Sequence, residues 1–163
     1  MANSSTKPRK PAQVPRWLLP KLDRSQRLDI ELAHLENLDG IHAGEQNETL
    51  LWHLVEAVFT WSKVAELLKR DEAEMAAQLE MATRVVERYG SEGIIAFSVL
   101  DYFVACRGVG VMNDLAYATD VATAQEAAMW SELLAEALRA GTHTSPAEAM
   151  ARGLAVAGGQ RAA

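Results

Sequence analysis

Cysteine is almost absent from this chain: Cys106 stands alone among 163 residues, which excludes a disulfide framework within one chain. Lying in the apolar run from Ile94 to Cys106, its thiol is expected to be a small buried hydrophobe rather than a reactive or redox group. Proline is scarce and crowded to one end, with Pro8, Pro11, Pro15 and Pro20 interrupting the first stretch. No apolar segment of signal-peptide length follows the basic N-terminus, so export is not expected. Long apolar runs are missing too. The longest, Ile94-Ile-Ala-Phe-Ser-Val-Leu, is broken by Asp101 and then by Gly108 and Gly110, well short of the roughly 20 residues that span a bilayer. A soluble, cytoplasmic chain with no membrane association is the expectation. Nothing reads as a strand pair, and no internal repeat of fixed period appears.

What is present is a break in charge near residue 24. Residues 1 to 24 hold Lys7, Arg9, Lys10, Arg16, Lys21 and Arg24 against Asp23 alone, and the remainder carries 10 basic and 21 acidic side chains, for a net charge of −6. A basic, proline-punctuated arm therefore leads into an acidic body. Residues 1 to 16 cannot build a core and are expected to be disordered or extended when unbound. Trp17, Leu18, Leu19 and Leu22 form an apolar hook around Pro20 that anchors the arm's base. With 49% hydrophobic residues, the rest is rich enough to close one core, and residues 17 to 156 are read as a single domain followed by a frayed tail over 157 to 163.

The body reads as helix throughout. A first helix is predicted from about Arg24 to Asp39, with Leu28, Leu32 and Leu35 as its apolar face, Asp29, Glu31, Glu36 and Asp39 as its acidic face, and Gly40 as its stop. The second, about Glu48 to Lys69, has a broad apolar arc of Leu50, Leu51, Leu54, Val58, Trp61, Val64, Ala65 and Leu68. Residues placed at 100° intervals put Trp52 and Phe59 on another side, so this helix is either the centre of the bundle or the bearer of an aromatic patch for a partner. A third, about Asp71 to Tyr89, buries Met75, Leu79, Ala82, Val86 and Tyr89, pairs Glu80 with Arg84 and closes at Gly90. Ser91 to Thr119 is a buried helix that Gly108 and Gly110 are expected to kink or split. A helix from about Thr123, capped in a box with Glu126, runs to Gly141, and Ser145, Pro146 and Glu148 start a short last one. The fold class is all-α, a bundle of five to six helices with a disordered basic arm.

Function must then come from local constellations. Glu31 and His34 stand at the i,i+3 spacing with which carboxylate-bridged di-metal bundles aim two ligands at one ion, yet the second copy is missing. His53 and Glu56 have that spacing in reverse order, leaving a mononuclear zinc or iron site from Glu31, His34 and His53 as the metal-dependent alternative. Arg107-Gly-Val-Gly-Val-Met-Asn113 has two glycines of a nucleotide loop but neither the third glycine nor a preceding strand. No serine occupies a Gly-x-Ser-x-Gly elbow, and nothing selects a histidine for Cys106. Asp101, if buried, would have a raised pKa, the alternatives being exposure or pairing with Arg107. Thr60 to Leu79 has helix-turn-helix rhythm, but Asp71, Glu72 and Glu74 would face the DNA where recognition side chains belong. Those carboxylates suit the first turn of a helix instead.

Pro15-Arg-Trp-Leu-Leu-Pro-Lys21, Leu32-Ala-His-Leu-Glu-Asn-Leu-Asp39, Leu51-Trp52, Thr60-Trp-Ser-Lys-Val-Ala-Glu-Leu-Leu68 and Arg84-Val-Val-Glu-Arg-Tyr89 resemble segments of small helical proteins of proteobacterial chromosomes and mobile elements. Some of these carry the label of Fis-family transcriptional regulator. The resemblance implies a bacterial accessory or regulatory protein. It departs from a Fis-like pattern at the C-terminal end, where Val121 to Ala163 offers only Arg139, Arg152 and Arg161 as cations, so no functional residue is carried over.

The expectation is therefore a non-enzymatic regulatory or accessory protein with no cofactor. Lys7, Arg9, Lys10 and Arg16 contact nucleic acid or another polyanion, whose binding through such an arm is weak and salt-sensitive. Trp52 and Phe59 meet a protein partner or a second copy of the chain. A metal-dependent bundle enzyme and a purely structural interaction module with a dispensable arm are the alternatives.

Overall fold

A computed structural model describes the chain from residue 18 to residue 161, with side chains to residue 153. Lys7, Arg9, Lys10, Arg16 and Trp17 lie outside the described residues. Six helices follow one another: α1 (Arg24–His42), α2 (Glu48–Leu68), α3 (Glu72–Glu92), α4 (Val99–Ala118), α5 (Val121–Arg139) and α6 (Pro146–Arg161). The chain is all-α, as its periodicity required. No helix among the described residues is long and apolar enough to cross a membrane.

Local chemistry starts most of these helices. Asp23 and Gln26 form a reciprocal capping box at α1, Asn47 accepts from the Thr49 N–H at α2, and Ser98 and Asp101 form a second box at α4. The cap of α5 is Asp120, accepting from the Thr123 N–H at 2.8 Å, so Thr123 is the recipient of that cap and not its source. Pro146 opens α6, with Ser145 Oγ accepting from the Glu148 N–H at 3.2 Å. The helix continues to Arg161.

Packing is organised around α2, whose main neighbours are α5 and α3, while α4 lies against α1 and α3 and α6 against α3 and α5. One core gathers Leu51, Leu54, Val58, Trp61 and Val64 of α2 with Leu38, Ile41, Met75, Met81, Val85, Met112 and Leu115. A smaller one sets Val55 and Phe59 of α2 against Leu134, Leu138, Ala149 and Met150 of α5 and α6. Phe59 is fully buried and meets the Trp130 ring edge-on at 6.5 Å. Trp52 is half-buried under the Arg139 guanidinium, 4.9 Å from its ring centre. Of the two readings of α2, the structure holds the central helix. Trp52 and Phe59 do not form an exposed partner patch, because Phe59 is covered by α5 and α6 and Trp52 by Arg139.

The arm's root is held where α4 meets α5. Leu22 is buried, Pro20 accepts from the Val121 N–H at 2.9 Å, and the Lys21 ammonium donates to the Ala118 carbonyl. Residues 18 to 23 thus belong to the folded body.

Several expectations change. In α1 the buried residues are Asn37, Leu38, Gly40 and Ile41, whereas Leu28, Leu32 and Leu35 are 50%, 54% and 38% exposed. The leucine face points outward. The helix runs through Gly40 to His42, and Gly40 lies against the Leu50 side chain, where a Cβ would come within 2.7 Å of it. α3 likewise passes Gly90 and ends at Gly93, which takes φ +70°. Cys106 is exposed. Arg84 pairs with Asp101, not Glu80: its Nε donates to Oδ1 at 2.8 Å, and Arg88 stands 3.6 Å from Oδ2. Ser98 Oγ also donates to Oδ2, at 2.7 Å. Asp101 is thus neither exposed nor paired with Arg107, which binds Glu74 instead. Burial alone would raise the pKa of this 1% exposed carboxyl, but the hydrogen bonds from Ser98 and Arg84 outweigh it and the net shift is downward.

The Gly108 and Gly110 pair does not split its helix, since α4 is continuous from Val99 to Ala118. Gly108 is buried against Gln78, whose Nε2 donates to the Val104 carbonyl at 2.8 Å. A Cβ at Gly108 would lie 2.2 Å from Gln78 Oε1, while one at Gly110 would meet open space. Gly108→Ala is therefore expected to destabilise by about 1–3 kcal/mol through overpacking. Gly110→Ala should stabilise by about 0.5–1 kcal/mol, since alanine loses less backbone entropy in a helix. Urea unfolding of the two variants reads the opposite signs, and equal effects would contradict the packing at Gly108.

Asp101→Asn should cost about 2–3 kcal/mol at neutral pH by leaving Arg84 and Arg88 short of a counter-charge. A depressed carboxyl pKa stabilises above its ordinary value and ceases to as pH falls through the folded value. The gap between wild type and variant should therefore close below about pH 4. A gap that stays constant from pH 7 to pH 3 would show that the charge of Asp101 is not what matters.

Candidate functional site

α1 and α5 both flank α2 while finding their other neighbours elsewhere, and a cleft of about 930 Å³ opens between them. Its deep residues are apolar: Leu38, Leu54, Trp61, Met81, Ala105 and Met112 line it and are buried. Its mouth is formed by exposed Ala33 of α1, His53 of α2, and Gln125, Ala128, Met129 and Glu132 of α5. The volume is in the range of ligand-binding clefts.

Few polar groups interrupt that lining, and most are spent on internal bonds. Thr60 Oγ1 donates to Ser131 Oγ at 2.8 Å, and Ser131 Oγ donates to the Ala128 carbonyl at 2.8 Å, tying α5 to α2. Gln78 is committed to α4. Glu56 holds Arg139 at 2.5 Å. Among the described residues no lysine or arginine lines the cleft.

His34 is the titratable group set into its wall. Trp61 Nε1 donates to His34 Nε2 at 3.2 Å, with the rings edge-on at 82°. Burial pushes the imidazole pKa down to about 4, so the ring is neutral at physiological pH. With Nε2 accepting, the ring proton belongs on Nδ1, and that buried atom has no hydrogen-bond partner. One turn further along α1, Asn37 is 8% exposed and its buried Oδ1 is also without a donor. An unsatisfied buried polar atom costs about 1–3 kcal/mol; two of the five such atoms among the described residues, the others being on Arg27, Ser62 and His143, fall on this one wall.

The proposed metal residues are divided. His34 and His53 both line this cleft, but Glu31 lines a separate space of about 220 Å³ between α1 and α4, with Arg24, Arg27 and Tyr117. There Arg27 stacks over the Tyr117 ring at 4.2 Å. The i,i+3 spacing leaves Glu31 and His34 about 60° apart on α1, and it is the packing of α1 against α2 and α4 that puts them in separate spaces. Among the described residues no group of three or more His, Cys, Asp and Glu side chains is placed to hold a metal ion. Glu31, His34 and His53 therefore do not form the expected site.

Sequence reasoning missed Asn37, Thr60, Gln78 and Ser131. The only signal available for Asn37 was a polar side chain three residues from His34 on the helix face opposite the leucines. No protein-family model, curated protein or solved structure matches this chain.

A histidine buried neutral destabilises the fold once pH drops below its unfolded value, because the unfolded chain takes up the proton and the folded one does not. Stability from His34 is full above about pH 6.5 and falls until about pH 4, by up to about 3 kcal/mol. His34→Gln keeps an acceptor for Trp61 and removes the titration. Denaturant unfolding should show wild type losing more stability than His34→Gln between these limits. Parallel curves would mean that His34 titrates in the folded chain as it does in solvent.

Proposed function

We propose that this chain is a non-enzymatic regulatory or accessory protein, its acidic helical body binding a protein partner and its basic arm contacting nucleic acid or another polyanion. The observation that carries the protein-binding half is the set of apolar side chains left on helix surfaces. Leu28, Leu32 and Leu35 make an outward stripe on α1, and Val99, Leu100 and Phe103 of α4 are 78%, 67% and 66% exposed. Large apolar side chains at helical spacing, on surfaces their own chain does not cover, suit association with another macromolecule. The resemblance to bacterial accessory and regulatory proteins agrees with such a role.

The polyanion half rests on composition. Lys7, Arg9, Lys10 and Arg16 supply four cations within the first sixteen residues, set apart from a body that repels phosphate. Such an arm confers salt-dependent affinity and little sequence preference.

Fluorescence anisotropy with a labelled DNA duplex tests this half. The full chain should bind with a log–log salt slope of about −3 to −4, one released counterion for each neutralised phosphate. Replacing Lys7, Arg9, Lys10 and Arg16 with Gln in the full chain should abolish binding while keeping the Pro20 to Asp23 anchor that a cut at residue 24 would destroy. Absence of binding at low salt, or binding that survives the four substitutions, would refute the arm as a nucleic-acid handle.

A further inference from the structure

We infer that the cleft between α1 and α5 is the seat of a basic amphipathic helix from a partner protein, an inference that rests on the protein-binding half of the reading above. Its shape suits that occupant. A helix about 10 Å across fills roughly 420 Å³ per 5.4 Å turn, so a cleft of about 930 Å³ takes about two turns. It stands where another helix would complete the ring around α2. Its apolar surface includes Met81, Met112 and Met129, whose unbranched, polarisable side chains adapt to the ridges of an incoming helix.

Charge selects the sign of that helix. Glu132 lines the α5 edge of the cleft, with Glu136 one turn beyond it, and on α1 Asp29 and Glu36 stand one turn to either side of the lining residue Ala33, beside the cleft and not in its lining. All four are exposed, and no ion pair to any of them occurs among the described residues. Asp29 to Glu36 alone spans roughly 10 Å at 1.5 Å per residue. Carboxylates spread beside the cleft on both α1 and α5 match cations spaced along a helix better than one small ligand. With no cation in the lining, nothing there favours an anionic guest. Asn37 adds an independent sign: its buried Oδ1 lacks a donor, and a lysine or arginine anchor entering the cleft would supply one.

The probe is a fluorescein-labelled 14-residue peptide of Leu and Lys, patterned so that the leucines share one helical face, with a Leu and Glu peptide of the same pattern as control. Binding to the full chain is read by anisotropy. The Leu/Lys peptide should bind, the Leu/Glu peptide should not, and Ala33→Arg or Ala128→Arg should weaken binding at least tenfold. Both alanines are exposed at the mouth, and unchanged circular dichroism would confirm that the variants fold. Phe103→Ser, on α4, should leave binding as it was.

Binding that ignores the cleft variants but is lost in Phe103→Ser overturns the cleft as the seat and leaves the partner reading standing on α4. Failure of the Leu/Lys peptide to bind overturns the proposal. So does equal binding of the Leu/Glu peptide. If Nile red enters the cleft with the same variant dependence while the peptide does not bind, the site is one for a neutral small molecule. If sedimentation shows a dimer that Ala128→Arg dissociates and the peptide does not bind, the occupant is a second copy of the chain.

Discussion

The structure depends on burying α2 on two sides. Leu51, Val58, Trp61 and Val64 point one way and Val55 and Phe59 another, all nearly or wholly removed from solvent. Each such side chain contributes about 1.5–3 kcal/mol when fully buried, so neither side can be left open. α1, α3 and α4 close over the first, and α5 and α6 over the second. Because α1 and α5 are both drawn to α2, they stand on either side of it. The cleft is the space this arrangement leaves, and its depth comes from Trp61 and Leu54 lying beneath it.

Polar contacts then fix how the helices sit. Asp101 joins the start of α4 to α3 through Arg84 and Arg88 while closing its own helix cap with Ser98. Gln78 reaches α4 only because Gly108 has no side chain to block it. Thr60 and Ser131 lock α5 to α2 beside the cleft. Each of these groups is buried or half-buried and satisfied, so each opposes sliding of one helix along another. His34 and Asn37 each keep one buried unpartnered atom, as do Arg27, Ser62 and His143, and these two belong to the wall that faces the cleft.

Much of the fold was legible in the residues. The six helices follow from 3.6-residue periodicity, and α6 starts with proline where the pattern put it. Helix ends were less legible, because a glycine inside a helix looks like a glycine after one. Gly40, Gly90, Gly108 and Gly110 all lie within helices, whereas the left-handed backbone that ends a helix falls at Gly93 and, without any glycine, at Lys69. The site was barely legible. Glu31 and His34 suggested one chemistry by spacing, and three residues of a helix do leave them about 60° apart, but the neighbours of α1 divide that face, so that His34 lines the cleft and Glu31 the space against α4.

By itself the sequence determined the all-α class, the apolar character of α2 on two sides and the separation of a basic arm from an acidic body. These depend on periodicity and composition, which are properties of the chain read in order. Only the tertiary structure decided which face of α1 is buried. Leu28, Leu32 and Leu35 are as apolar as Ile30, Leu38 and Ile41, and periodicity states that residues share a face without stating what that face meets. Tertiary structure also decided that Phe59 lies under α5 and α6, that Asp101 takes its partners from α3, and that a space bordered by unpaired carboxylates stays open between α1 and α5. All of these are relations between helices distant in sequence, set by which surfaces α2 must cover first.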